Sequence, residues 1–309
     1  MSALRRQLAI IISLLSLLVG CLNQSPRVVK IGLVAPFEGR YREIGVDVIP
    51  AARLAVREWA AKHTDAPIAI ELITYDDAGN PDKAALQAQN LVVDPAVQLV
   101  IGHWREDTTG AAEPVYSQSH MPLITYNEIP NADGHTYYLL SPQKQVISQQ
   151  VERWSSHQSN EYKIRLDETD LVQSATNVRE GTNYLIGGPD WGLNQFKLLL
   201  DGNSQEVYFA SGLAMPSDQR GNFWTGAHVA NFVAKFEDGS VGAPPGFYSV
   251  AAYEATWFAL DLISRKYGIA EDDSPVSHWQ FDSNNHRLDA PVYLYHWISG
   301  ERQLVTVFP

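Results

Sequence analysis

Apolar runs that read as strands alternate with helix-period segments over residues 28–127, at a spacing that means a parallel sheet with crossover helices. VVKIGLV (28–34) is an almost continuous β-branched run, as a strand buried on both faces requires. A helix follows to about Lys62, with Ile49, Ala52, Val56 and Trp59 at helical spacing; Pro50 is expected near its first turn, where a missing N–H costs little. IAIELITYDD (68–77) is a second strand. Asn80 then precedes Pro81 as a helix cap precedes a first helical residue. QLVIG (98–102) is a third strand, a helix is expected over roughly 109–119, and PLITYN (122–127) is a fourth strand.

On such a sheet, ligands sit beyond the carboxyl ends of the strands. The tips APFEG, YDDAGN, GHWREDTTG and TYNEIPN all fall on that edge. Beyond them the spacing predicts a helix over 143–154, a strand YKIRL (162–166), a helix over about 168–179, and strands at NYLIGG (183–188) and EVYFAS. FYSVAAYEATWFALDLISRKYG (247–268) is apolar on most faces and is expected to be a buried helix, and the end, from Trp279, reads as short antiparallel strands such as VYLYHW (292–297).

The balance of 23 Lys and Arg against 35 Asp and Glu, a formal charge of −12, gives no electrostatic support for gripping nucleic acid. The N-terminus has Arg5 and Arg6, an apolar stretch from Leu8 to Val19, then Gly20 and the single cysteine, Cys21. That stretch is short for a membrane span and has the order of an export signal. Leu18 to Cys21 resembles a bacterial lipobox, which implies a signal peptide at 1–20, lipidation of Cys21 and a tether over 21–27. The mature chain would carry −14, contain no disulfide, and lie lipid-anchored at the outer face of the cytoplasmic membrane or in the periplasm.

Chemistry has little positive support. GxSxG, GxGxxG, Walker and HExxH patterns are all missing from the sequence. Asp76 and Asp77 are adjacent on a strand and point to opposite faces, so they cannot flank one bond; a capped turn is the expected role. His103 could join Glu106 and Asp107 at a metal, but it is expected to end a buried strand with its ring bonded to backbone. Trp104 and Trp191 would line a cleft or fill the core. Thr108 and Thr109, at the expected helix start, would cap it or offer hydroxyls and free N–H groups to an anion.

Several ordered blocks are similar to the branched-chain amino-acid-binding proteins of ABC importers: KIGLVAPFEGRYREIG, YDDAGNPDKAALQAQNLV, VIGHWREDTTGAAEPVYSQSHMPLIT, LIGGPDWG, YSVAAYEATWFALDLI and FDSNNHRLDAPVYLYHW. The resemblance implies an α/β type I periplasmic-binding-protein fold, two lobes with parallel sheets flanked by helices. The first lobe would hold 28–142 and about 213–278, the second about 143–212 and 279–309. It also implies a ligand carboxylate at Asp107, Thr108 and Thr109, a further contact loop at Thr125, Tyr126 and Asn127, and an ammonium partner at Asp190. Ile44 matches a wall position, and Ile129 stands near a threonine of the family pattern. Where the family has a whole β-α-β-α stretch, this chain has only SSHQSNE between Trp154 and Tyr162, so the second lobe is expected to be reduced. The implied function is capture of an amino acid or small amide for permease subunits, with no enzyme activity, cofactor or metal. The other function open to such a fold is ligand sensing, signalled to a partner.

Overall fold

The computed structural model describes residues 26–308 apart from 130–136, 181–183, 201–205, 221–222 and 271–273. Cys21 and the signal segment lie outside the described residues.

The first sheet is built in the expected alternation: β1 (Arg27–Ala35), α1 (Arg42–Lys62), β2 (Ile68–Asp76), α2 (Pro81–Val92), β3 (Val97–Ile101), α3 (Glu106–Gln118), β4 (Leu123–Thr125) and β5 (Tyr137–Leu139). Its order is β2-β1-β3-β4-β5, with every pair parallel. β1 shows why its run has no polar face. Ile31 and Leu33 enter the core under α1, whereas Val34 joins Ala84, Ala88 and Leu91 of α2 on the other side. Asn80 caps α2 as expected, its side chain accepting from Lys83 N at 3.0 Å.

The remaining elements are α4 (Lys144–Ser155), β6 (Tyr162–Arg165), α5 (Leu171–Glu180), β7 (Tyr184–Gly187), α6 (Asn194–Leu199), β8 (Glu206–Ser211), α7 (Gly226–Gly239), α8 (Ser249–Tyr267), β9 (Val292–Ile298) and β10 (Glu301–Phe308). The second sheet runs β10-β9-β8-β7-β6. β6, β7 and β8 are parallel, and the β9-β10 hairpin continues antiparallel from β8. The chain passes from α4 to the edge strand β6 through residues 156–161 alone, where the family pattern has further units. α7 and α8 pack on α1, while α4 covers β6, β8 and β9. The structure thus has two α/β sheets flanked by helices, the arrangement that the resemblance implies.

Three local expectations are corrected. Pro50 sits well inside α1, not at its first turn. Val46, whose carbonyl Pro50 leaves without a helical donor, is exposed, so solvent is at hand. α3 begins at Glu106, ahead of the expected 109, because the chain is already helical over its acidic first turn of Glu106 and Asp107. His103 is buried and structural, but its ring bonds side chains: Nδ1 lies 2.7 Å from Asp77 Oδ2 and Nε2 3.2 Å from Tyr116 Oη. Asp76 and Asp77 cap the turn after β2, accepting from Ala78 N at 2.8 Å and Gly79 N at 2.9 Å.

Candidate ligand-binding site

The chain turns sharply at the end of β3. Gly102 has φ +127°, and a Cβ there would lie 2.3 Å from Val34 O, so only glycine lets the loop leave the sheet at this point. The loop delivers Trp104 and Arg105 to the carboxyl edge of the first sheet. Loops after β4 and β5 bring Tyr126, Asn127, Glu128 and Ser141 beside them; those after β6, β7 and β8 bring Glu168, Gly188, Asp190 and Gly212 from the other sheet. Between them is a cavity of about 60 Å³ open to the centres of water-sized spheres, room for several waters or part of a small organic molecule.

Of the residues proposed from sequence, Trp104, Tyr126, Asn127 and Asp190 line this cavity. The other six do not. Ile44 and Trp191 are fully buried core residues, Trp191 stacked on Phe196 with ring centroids 4.8 Å apart. Thr108, Thr109 and Thr125 are buried hydroxyls already committed to backbone. Thr108 Oγ1 donates to Arg105 O at 3.0 Å, Thr109 Oγ1 to His103 O at 2.9 Å, and Thr125 Oγ1 to His103 O at 3.2 Å. Asp107 accepts from Thr108 N at 2.8 Å and from Arg105 Nη2 at 2.9 Å. At the start of α3 the Thr108 N–H is thus matched by the protein's own carboxylate, that of Asp107.

Asp190 is likewise engaged. Arg105 Nη1 donates to its Oδ2 at 2.5 Å, and the guanidinium lies 3.6 Å from the Tyr41 ring centroid. Gly79, at φ +63°, keeps clear the space beneath Tyr41: a Cβ there would come within 2.5 Å of the ring. Burial raises the Asp190 carboxyl to about 6, against the pull of Arg105. Burial also works against the Arg105 cation, but Asp190 and Asp107 outweigh it and its proton is held more tightly than in free arginine.

Sequence reasoning passed over Arg105, Lys144, Glu168 and Tyr248, and weighed Glu106 only as a metal ligand. Arg105 stood inside the quoted GHWREDTTG stretch, yet nothing in its spacing pointed to Asp190 far along the chain. Glu168 and Tyr248 lie beside helices and carry no motif. Trp104 stacks on Tyr126 at 5.9 Å and meets Tyr248 edge-on at 6.1 Å. Four buried polar atoms of the lining have no partner among the described residues: Trp104 Nε1, Tyr126 Oη, Tyr248 Oη and Glu168 Oε2. Buried polar groups are ordinarily satisfied, so such a cluster marks a place for a ligand or ordered water. No group of His, Cys, Asp and Glu suited to a metal occurs among the described residues.

Residues 28–159 match a family model described as periplasmic binding protein. The Leu/Ile/Val-binding protein of Escherichia coli (strain K12) is 29% identical over 97 residues, which cover 31% of this chain and 26% of that relative. The aligned stretch thus spans about a quarter of the curated relative. A substrate-binding protein from Desulfitobacterium hafniense, solved with Leu, superposes with a TM-score of 0.66 at 16% identity, covering 90% of this chain and 100% of that one. A solute-binding protein of an ABC transporter from Rhodopseudomonas palustris BisB5, solved with 3,4-dihydroxy benzoic acid, gives 0.65 at 18% identity over 91% and 97%. The segment that builds most of the first sheet is thus similar to the periplasmic binding proteins, and the fold is shared with solved solute-binding proteins over nearly the whole length.

Proposed function

We propose that this chain is the extracytoplasmic solute-binding component of an ABC importer, holding an amino acid or a related small organic molecule between two lobes and passing it to permease subunits without chemical change. The observation that carries this reading is the cavity at the carboxyl edges of both sheets, with Trp104, Tyr126, Asn127 and Asp190 in its lining and four polar atoms awaiting partners. The solved relatives hold Leu and 3,4-dihydroxy benzoic acid, both small organic molecules. The lobes are taken as 28–142 with about 213–278, and about 143–212 with 279–309, and lipidation of Cys21 would anchor the protein at the membrane.

A thermal-shift screen of the exported form against amino acids, amides, amines and aromatic acids tests the reading, because a ligand that binds only the native state must raise its melting temperature. At least one class is expected to do so, with the shift lost in Trp104→Ala. A flat response to every class at millimolar concentration would refute it.

A further inference from the structure

We infer that the cavity takes a small organic amine lacking a carboxylate, not an α-amino acid or an organic acid; this rests on the reading of the chain as a solute-binding protein. An α-amino acid needs an anion site and an ammonium site, and both expected positions are taken by the protein itself. Asp107 Oδ1 accepts from Thr108 N at 2.8 Å at the start of α3, and Arg105 occupies Asp190.

What remains open to a ligand has the character of a cation site. The cavity is lined by the carboxylates of Glu106, Glu128, Glu168 and Asp190 and by the ammonium of Lys144; Glu106, Glu128 and Asp190 are engaged by Lys144 and Arg105, which leaves Glu168 as the carboxylate with an unmatched oxygen. Lys144 is already bonded to Glu106 at 2.7 Å and to Asp167 at 2.9 Å. An arriving carboxylate would add negative charge with no uncommitted cation in the lining to receive it. Glu168 has one oxygen accepting from Arg165 and Asn177, both at 3.3 Å, and its other oxygen buried with no donor. A ligand or an ordered water must bring that donor. The rings of Trp104, Tyr126 and Tyr248 supply apolar walls and π faces, a setting in which an ammonium on a compact apolar body is favoured.

The test keeps the body constant and varies the head group. Calorimetry on the native mature protein would compare 3-methylbutylamine with leucine, 4-methylpentanoate and 4-methylpentanamide, and phenethylamine with phenylalanine, 3-phenylpropanoate and 3-phenylpropanamide. In one or both series the amine is expected to bind at least about tenfold more tightly than its three counterparts, a difference of about 1.4 kcal/mol. Glu168→Gln is expected to weaken the amine by a similar factor with its circular dichroism unchanged. Equal or tighter binding of the amino acid, acid or amide would overturn the amine assignment and leave solute binding standing. An amine indifferent to Glu168→Gln would overturn it too. Failure of all eight compounds, with no hit in the broader screen, would overturn both readings. Should the variant not fold, the head-group comparison on the native protein decides alone.

Discussion

Asp47 and Asp190 are both buried carboxylates, and the protein handles them differently. Asp190 is met by the Arg105 guanidinium. Asp47 is held only by backbone donors, Gly246 N at 3.1 Å and Tyr248 N at 3.0 Å, at the start of α8. Burial raises Asp47 to about 7. The folded state therefore keeps a proton here that the unfolded chain loses near pH 4, so this group's contribution is fully present below that pH and is lost as pH rises through about 7. Thermal melts should show Asp47→Asn with a smaller loss of stability between pH 5 and pH 8 than the wild type; identical losses would remove Asp47 as the cause. Arg105→Ala leaves Asp190 buried without its cation and is expected to cost about 3–5 kcal/mol in denaturant unfolding, with Arg105→Ala/Asp190→Asn recovering part of it. Additive effects of the two changes would mean that the pair is not coupled. Neither arrangement was legible in the sequence. The spacing exposed each residue type, but which charge meets which depends on how two loops from different sheets approach.

At the scale of elements, the sequence was most informative where one physical signal governs. Buried parallel strands show as β-branched runs, and the cap at Asn80 shows as Asn-Pro. The three-residue strand β5 is too short to carry a period, and α7 went unnoticed between the strand of EVYFAS and the long apolar helix. The start of α3 was misplaced because Thr108 and Thr109 look like caps, whereas their hydroxyls turn back to the carbonyls of residues 103 and 105. Thr109 Oγ1 also accepts from Asn127 Nδ2 at 3.0 Å, which fixes a cavity residue to the helix. Thr109→Val keeps the shape and removes these bonds. It should cost about 1–3 kcal/mol by denaturant titration. A neutral result would mean that water replaces the hydroxyl without loss.

Over the whole molecule, the layout of the first sheet followed from alternation alone, whereas the second lobe came from family likeness, since its strands are short and separated by weak patterns. The two halves are tied to each other by charged contacts. Arg105 reaches Asp190, and Glu43 on α1 accepts from Asn194 N at 2.8 Å and from Arg302 Nη2 at 2.7 Å on β10. Glu43→Ala combined with Arg105→Ala should therefore favour a more open form, seen as an increased radius of gyration in small-angle scattering relative to the wild type. An unchanged radius in a folded variant would show that other contacts hold the halves together.

Those ties across the cleft also set the order of events in time. If the proposed solute enters only when these ties part, the observed rate of association should climb with concentration and then level off at the rate of opening. Stopped-flow tryptophan fluorescence would show that plateau, and loosening the Arg105 tie would raise it. On that reading the contacts between the halves would act as a timer on the proposed capture.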